Sequence, residues 1–181
     1  FAIRPYPKQW ERRQVLANGR TILLRPIRPE DEGILKTFIE KSDPEDVRQR
    51  LFHAVRSLSH DTAVLFTQID YARTMVLIAL DEKTGELLGM THLLADPDYA
   101  RAEYAVMTRS DVKKQGIGSA LTKLLIDYAK EEGIGELWGQ VMRDNMAMLK
   151  ICQDFSIQVV TDKSDPVYLI ATLPLNKPIA A

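Results

Sequence analysis

The 181-residue chain has one cysteine, Cys152, so no disulfide can close within it, and this usage fits a reducing, cytoplasmic compartment. No apolar run approaches the roughly 20 residues needed to cross a bilayer. No signal-peptide pattern precedes the first charged residues. Neither sign of charge dominates: 24 Lys and Arg stand against 25 Asp and Glu, for a formal net charge of -1. Nothing global therefore draws the chain to nucleic acid or an anionic membrane, and a polyanionic ligand needs a local basic site. His53, His60 and His92 are scattered without metal-ligand spacing, and no metal is expected. Repeats and low-complexity runs are also lacking. What remains is ordinary for one globular domain with a real core, 45% hydrophobic and 27% charged.

The most informative stretch is Lys113-Lys114-Gln115-Gly116-Ile117-Gly118-Ser119. Leu121, Leu124, Leu125, Tyr128 and Ala129 follow at helical spacing, and Gly133 stands where a left-handed cap ends a helix. A long amphipathic helix thus begins on a bare backbone, whose N–H groups and dipole can hold phosphate. Lys113, Lys114 and Arg109 add positive charge. The pattern is neither a P-loop, because Ser119 follows Gly118 directly, nor a dinucleotide fingerprint, because the third glycine is missing. By itself it reads equally as a phosphate cradle and as a tight turn.

Taken in order, residues 1–14 carry Pro5 and Pro7 among charges and read as a linker from an upstream segment of a longer chain. Arg20 to Arg25 reads as a first strand after the Asn18-Gly19 turn. Pro29-Glu30-Asp31 opens a helix whose stripe is Ile34, Leu35, Phe38 and Ile39. Two further helices are expected, from Ser42 to Phe52 and from Ser59 onward. Thr74–Leu80 and Glu86–Ala95 form a hairpin, and Ala102–Thr108 a further strand before the glycine loop. After the long helix come a strand from Glu136 to Val141, a helix capped by Asp144 or Asn145 and reaching Asp154, and closing strands 157–160 and 167–175. The fold class is α/β (α+β), with a mixed, mostly antiparallel sheet of about seven strands flanked by helices. The domain spans 15–176, with a tail over 177–181.

That order, with Gln115-Gly116-Ile117-Gly118 between a strand and the long helix, resembles the GNAT superfamily of acyl-CoA-dependent N-acyltransferases. The likeness is closer to the GNAT domain of bacterial Pat-type protein lysine acetyltransferases, often fused to a domain like an ADP-forming acyl-CoA synthetase. It is carried by Arg25-Pro26-Ile27-Arg28-Pro29-Glu30-Asp31, Asp43-Pro44-Glu45 with Arg50-Leu51-Phe52, Asp70-Tyr71, Ala102-Glu103-Tyr104-Ala105 and Asn145-Met146-Ala147-Met148. Lys113 replaces the family's usual Gln or Arg, and Lys114 stands where many members have glycine. Phe155-Ser156-Ile157 replaces Leu-Gly-Phe, and Cys152 falls where many members place a tyrosine that protonates the leaving thiolate.

The resemblance implies acetyl transfer from acetyl-CoA to a lysine of a protein partner, such as a metabolic acyl-CoA synthetase. A lysine amine titrates near 10.4, so its neutral form lies about 4.6 kcal/mol uphill at pH 7, and the site must take up a proton. Glu103, on the strand beside the loop, is the general-base candidate, acting through water; the alternative is a strand glutamate paired with Arg101. The resemblance further implies that Val106, Met107 and Thr108 offer main-chain groups to the pantetheine. Lys113, Lys114, Gln115, Gly116, Ile117, Gly118 and Ser119 then hold the diphosphate. Asn145 either touches the pantetheine or caps its helix. Cys152 and the run Met142, Met146, Met148 read as packing. A small-molecule amine acceptor and a non-catalytic acyl-CoA sensor stay open as alternatives.

Overall fold

The computed structural model describes residues 4–44 and 67–175. The two helices expected between Ser42 and Gln68 fall largely outside the described residues, as do His53 and His60. Eight strands form one sheet: β1 (Arg12–Val15), β2 (Thr21–Pro26), β3 (Thr74–Asp81), β4 (Leu87–Ala95), β5 (Arg101–Thr108), β6 (Glu136–Met142), β7 (Gln158–Thr161) and β8 (Tyr168–Pro174). Their order is β1-β2-β3-β4-β5-β6-β8-β7. Every neighbouring pair is antiparallel except β5 with β6. A parallel pair needs a crossover, and α2 (Ile117–Glu131) supplies it. Two further α-helices lie wholly within the described residues, α1 (Glu32–Glu40) and α3 (Met146–Asp154).

The eighth strand is β1, of which Arg12 to Gln14 fall within the segment 1–14 expected as a linker. All four of its side chains are exposed, so Arg12-Arg13-Gln14 has no apolar face to betray a strand. A polar edge strand of this kind also resists pairing with another chain. The structure anchors the preceding turn instead: Trp10 is buried and meets Tyr128 edge-on at 5.4 Å.

The sheet separates two apolar layers. On one face, Met75, Leu77, Ala102, Tyr104 and Val106 pack under α2 and α3 with Leu121, Leu125 and Cys152. On the other, Val76, Ile78, Met90 and Met107 pack against Leu35, Phe38 and Ile39 of α1. β3 serves both layers by alternation, which is why Met75 to Leu80 reads as a continuous apolar run. The helix stripe expected for α1 is buried at Leu35, Phe38 and Ile39. α2 ends as its glycine predicts: Gly133 has φ +77, and Ile134 donates to the Ala129 carbonyl at 3.0 Å across it.

Asp31 ties β2 to α1. Its carboxylate accepts from both terminal nitrogens of Arg25 at 2.7 Å and from the Arg28 N–H at 2.7 Å. Both side chains are largely buried. Breaking such a pair from one side strands a charge. Asp31→Ala is expected to destabilise the protein by about 3 kcal/mol, read as a lower urea midpoint at unchanged m-value.

Candidate functional site

The site begins where two strands part. β5 and β6 pair only at Arg101–Glu136, Ala102–Leu137 and Glu103–Trp138. Beyond that point β5 stays with β4 as far as Thr108, and β6 stays with β8 as far as Met142. A fork opens between them. Gly139 sits at its root, and a Cβ there would lie 2.5 Å from the Tyr104 carbonyl oxygen. Only a bare Cα permits that approach.

The open edge of β5 presents main-chain groups in alternation. The Arg109 N–H donates to the Leu88 carbonyl at 2.8 Å. Main-chain groups switch sides at each residue of an antiparallel strand. Those of Met107 and Ala105 therefore face β4, and those of Thr108, Val106 and Tyr104 face the fork. The sequence reading grouped Met107 with Val106 and Thr108, but Met107 turns its backbone to β4 and buries its side chain in the α1 layer. Propensity gives no sign of which parity a strand will take.

At the far end of that edge lies the glycine loop. Lys114 and Gly116 both adopt left-handed backbone, with φ of +64 and +90. Gly116 is the N-cap of α2, and no side chain caps the helix. Its first-turn N–H groups thus point, with the positive end of the dipole, into the space before them. Gly118 keeps that space open, since a Cβ there would meet Ile151 Cδ1 at 3.0 Å and Thr108 Oγ1 at 3.5 Å. The resulting cleft holds about 440 Å³ and runs between β5, the start of α2 and the start of α3.

Of the residues singled out in sequence, Val106, Thr108, Lys113, Lys114, Gly116, Ile117, Gly118, Ser119 and Asn145 line this cleft. Gln115 does not; its side chain reaches Asn18 and Arg20 at 3.1 and 3.0 Å. Asn145 borders the cleft while its Oδ1 accepts the Met148 N–H at 3.2 Å as the cap of α3. Arg109, whose charge was counted with the loop, is buried and turned to Asp111 and Glu86, at 2.6 and 3.7 Å. Sequence reasoning missed Met146, Ala147 and Ile151, which form the α3 wall. The methionines there read as packing, yet Met146 is 70% exposed at the cleft. Cys152 lies on the buried face of α3, outside the cleft, and burial raises its thiol to about 11. The neighbouring Tyr104 hydroxyl is likewise buried and pushed up.

Glu103 sits at the apex of the fork, level with Leu94 on one side and Trp138 on the other. It is half-buried and faces away from α2. Arg101 donates to Glu136 at 2.8 Å and lies 5.2 Å over the Trp138 ring. On the same face, His92 stands level with Val76 and Ala105. Burial lowers its pKa to about 4, so the imidazole is neutral at pH 7. The cleft and the carboxylate thus lie on opposite faces of the sheet and meet only through the fork.

The chain belongs to the GNAT acetyltransferase family, whose model matches residues 41–155. It is similar to Acetyltransferase PA5475 of Pseudomonas aeruginosa, 28% identical over 162 residues, covering 88% of this chain and 87% of that protein. It is similar also to Acetyltransferase Pat of Mycolicibacterium smegmatis, 30% identical over 151 residues, covering 82% of this chain but spanning only 43% of that longer protein. In structure it matches the GNAT domain of S. lividans PAT with a TM-score of 0.83 at 25% identity, over 94% of this chain and all of that one. These findings define an acyltransferase of the GNAT fold. Among the described residues no helix is long and apolar enough to cross a membrane.

The burial of neutral His92 has a consequence for stability. Its folded pKa of about 4 lies below the ordinary histidine value. The unfolded chain therefore binds the proton more readily, and stability falls as pH drops from about 6.5 towards 4. His92→Gln is expected to flatten this part of the acid limb, measured as urea midpoint against pH, while the parent imidazole shows no NMR titration between pH 6 and 8.

Proposed function

We propose that this domain transfers an acetyl group from acetyl-CoA to the ε-amine of a lysine on a protein substrate. The carrying observation is the fork, which joins a cleft floored by uncapped helix N–H groups to a half-buried carboxylate at its apex. The residues present fit the cosubstrate. A cleft of about 440 Å³ reaches the glycine loop, where Gly118 leaves no Cβ between the helix start and Thr108. Backbone N–H groups from Gly116 to Ser119 hold the diphosphate, and Lys113 and Lys114 supply positive charge beside it. Val106 and Thr108 present main-chain groups to the pantetheine amides along the open edge of β5. Asn145 borders the same arm.

For the chemistry, a β5 N–H at the fork stabilises the negative charge that builds on the thioester oxygen when the amine attacks. Glu103 takes the amine proton through water; its position at the apex of the fork, on the face away from α2, leaves the cleft clear. The carbon–sulfur bond then breaks, and the CoA thiolate leaves and is protonated by solvent water. Cys152 is not placed for that step, since its thiol lies in the core and has a pKa of about 11. A protein acceptor, and within it a metabolic enzyme such as an acyl-CoA synthetase, is supported by the Pat-like motifs and the likeness to Pat. The lone buried cysteine fits action in the reducing cytoplasm.

The test is labelling of lysate proteins by purified protein with labelled acetyl-CoA, followed by mass spectrometry of acetylated lysines. Specific protein lysines are expected; turnover confined to small amines would replace the acceptor, and binding without turnover would make the domain a sensor. Glu103→Gln is expected to lower kcat by about 100-fold with the KM for acetyl-CoA within about twofold. Unchanged kcat would remove Glu103 from the reaction.

A further inference from the structure

The loop that starts α2 is held from outside the cleft. Gln115 lies between Lys114 and Gly116, both left-handed, a conformation that a lysine adopts only at a cost. Strained backbone of this kind persists where its surroundings over-determine it. The constraint here is the Gln115 side chain. Its Oε1 accepts from Asn18 Nδ2 at 3.1 Å and from Arg20 Nη1 at 3.0 Å.

Both donors are themselves fixed. Asn18 Oδ1 accepts the Arg20 N–H at 3.0 Å, which sets the amide so that its nitrogen faces Gln115. Gly19, with φ +85, makes the turn possible, and its N–H returns to the Leu16 carbonyl at 2.9 Å. Arg20 spans two partners, with Nε 3.3 Å from Asp81 Oδ2. Asp81 is in turn braced by the Thr84 and Lys83 N–H groups at 3.0 and 2.8 Å, which lower its pKa. Leu16 completes the contact, since its Cδ2 lies 3.9 Å from where a Gly116 Cβ would stand. The β1–β2 turn, the β3–β4 turn and the glycine loop are therefore linked through hydrogen bonds and the Arg20–Asp81 ion pair, though they lie far apart in sequence.

From this we infer that Asn18 and Arg20 are positioning residues for acetyl-CoA: the β1–β2 turn grips Gln115 and keeps the N–H groups of the loop convergent on the diphosphate. The inference rests on the acetyl-CoA reading of the cleft. Neither residue lines that cleft, so they act through Gln115 and not on the cosubstrate. A loop released from the turn samples conformations in which its N–H groups diverge, and binding weakens by the fraction lost.

Calorimetry with CoA and steady-state kinetics on the parent, Arg20→Met, Arg20→Lys, Asn18→Ala and Gln115→Leu test this. Arg20→Met keeps the aliphatic stem and removes the fork of donors. It and Asn18→Ala are expected to raise the CoA Kd and the acetyl-CoA KM by about three- to tenfold, the worth of one or two hydrogen bonds. The acceptor KM and kcat should stay within about twofold. Arg20→Lys should recover part of the loss, because an ammonium reaches one of the two partners. Arg20→Met combined with Gln115→Leu should bind no worse than the weaker single variant, as coupled residues do. A lowered Tm with unchanged CoA affinity, or additive losses in the double variant, would leave Arg20 a structural brace and overturn the inference. Failure of the parent to bind CoA would instead overturn the acetyl-CoA reading, and this inference with it.

Discussion

The parallel pairing of β5 with β6 stops after the Glu103–Trp138 pair. Most of the site depends on that one interruption. Were the ladder continued to Thr108, the main-chain groups of Tyr104, Val106 and Thr108 would be consumed within the sheet, and no edge would remain for a ligand to join. Because it stops, unpaired polar backbone is left inside a folded domain, which is tolerable only where solvent or a ligand can reach it. The fork also solves a problem of geometry. A sheet separates its two faces completely, and the fork is the opening through which the cleft on one face meets Glu103 on the other.

The crossover helix contributes the second requirement. α2 enters the α-helical conformation from a left-handed glycine, so the turn before it takes up no N–H group by a capping side chain. Its length and its glycine-capped end set the helix firmly on the sheet. Leu121 and Leu125 are fully buried, and Gly89 on β4 lets Ile117 and Leu121 approach to 3.0 Å of its Cβ position. A rigid helix fixes the direction of the dipole at its start, and electrostatic stabilisation of a bound anion depends on that direction more than on the net charge of the chain. A formal charge of -1 is compatible with a polyanionic ligand for this reason.

The remaining devices lie at the edges. The Arg25–Asp31 pair joins the entry of α1 to β2, and Trp10 with Tyr128 holds the N-terminal turn against α2. Trp10 thus brings β1 alongside the sheet, and with it the turn that reaches Gln115.

Much of this was legible in the residues. Helical spacing after Gly118, the terminal Gly133, the Asp81–Gly85 turn and the run from Met75 to Leu80 gave α2, its end and the central strands, because each is a local pattern with a local cause. The cleft-lining loop was legible for the same reason. Four features were not. β1 shows no apolar alternation, the backbone parity of Met107 follows from its partner strand, and the opposite turning of Arg109 and Gln115 is set by Glu86, Asp111, Asn18 and Arg20. The fork itself has a weak sequence sign in Gly139, a glycine inside a strand. The sequence alone therefore determined the described helices, every strand but β1, their order and the residue types at the loop, since propensity and periodicity act over a few residues. Only the tertiary structure decided where the ladder ends, which face Glu103 takes and which charges are spent on each other, since these depend on partners distant along the chain.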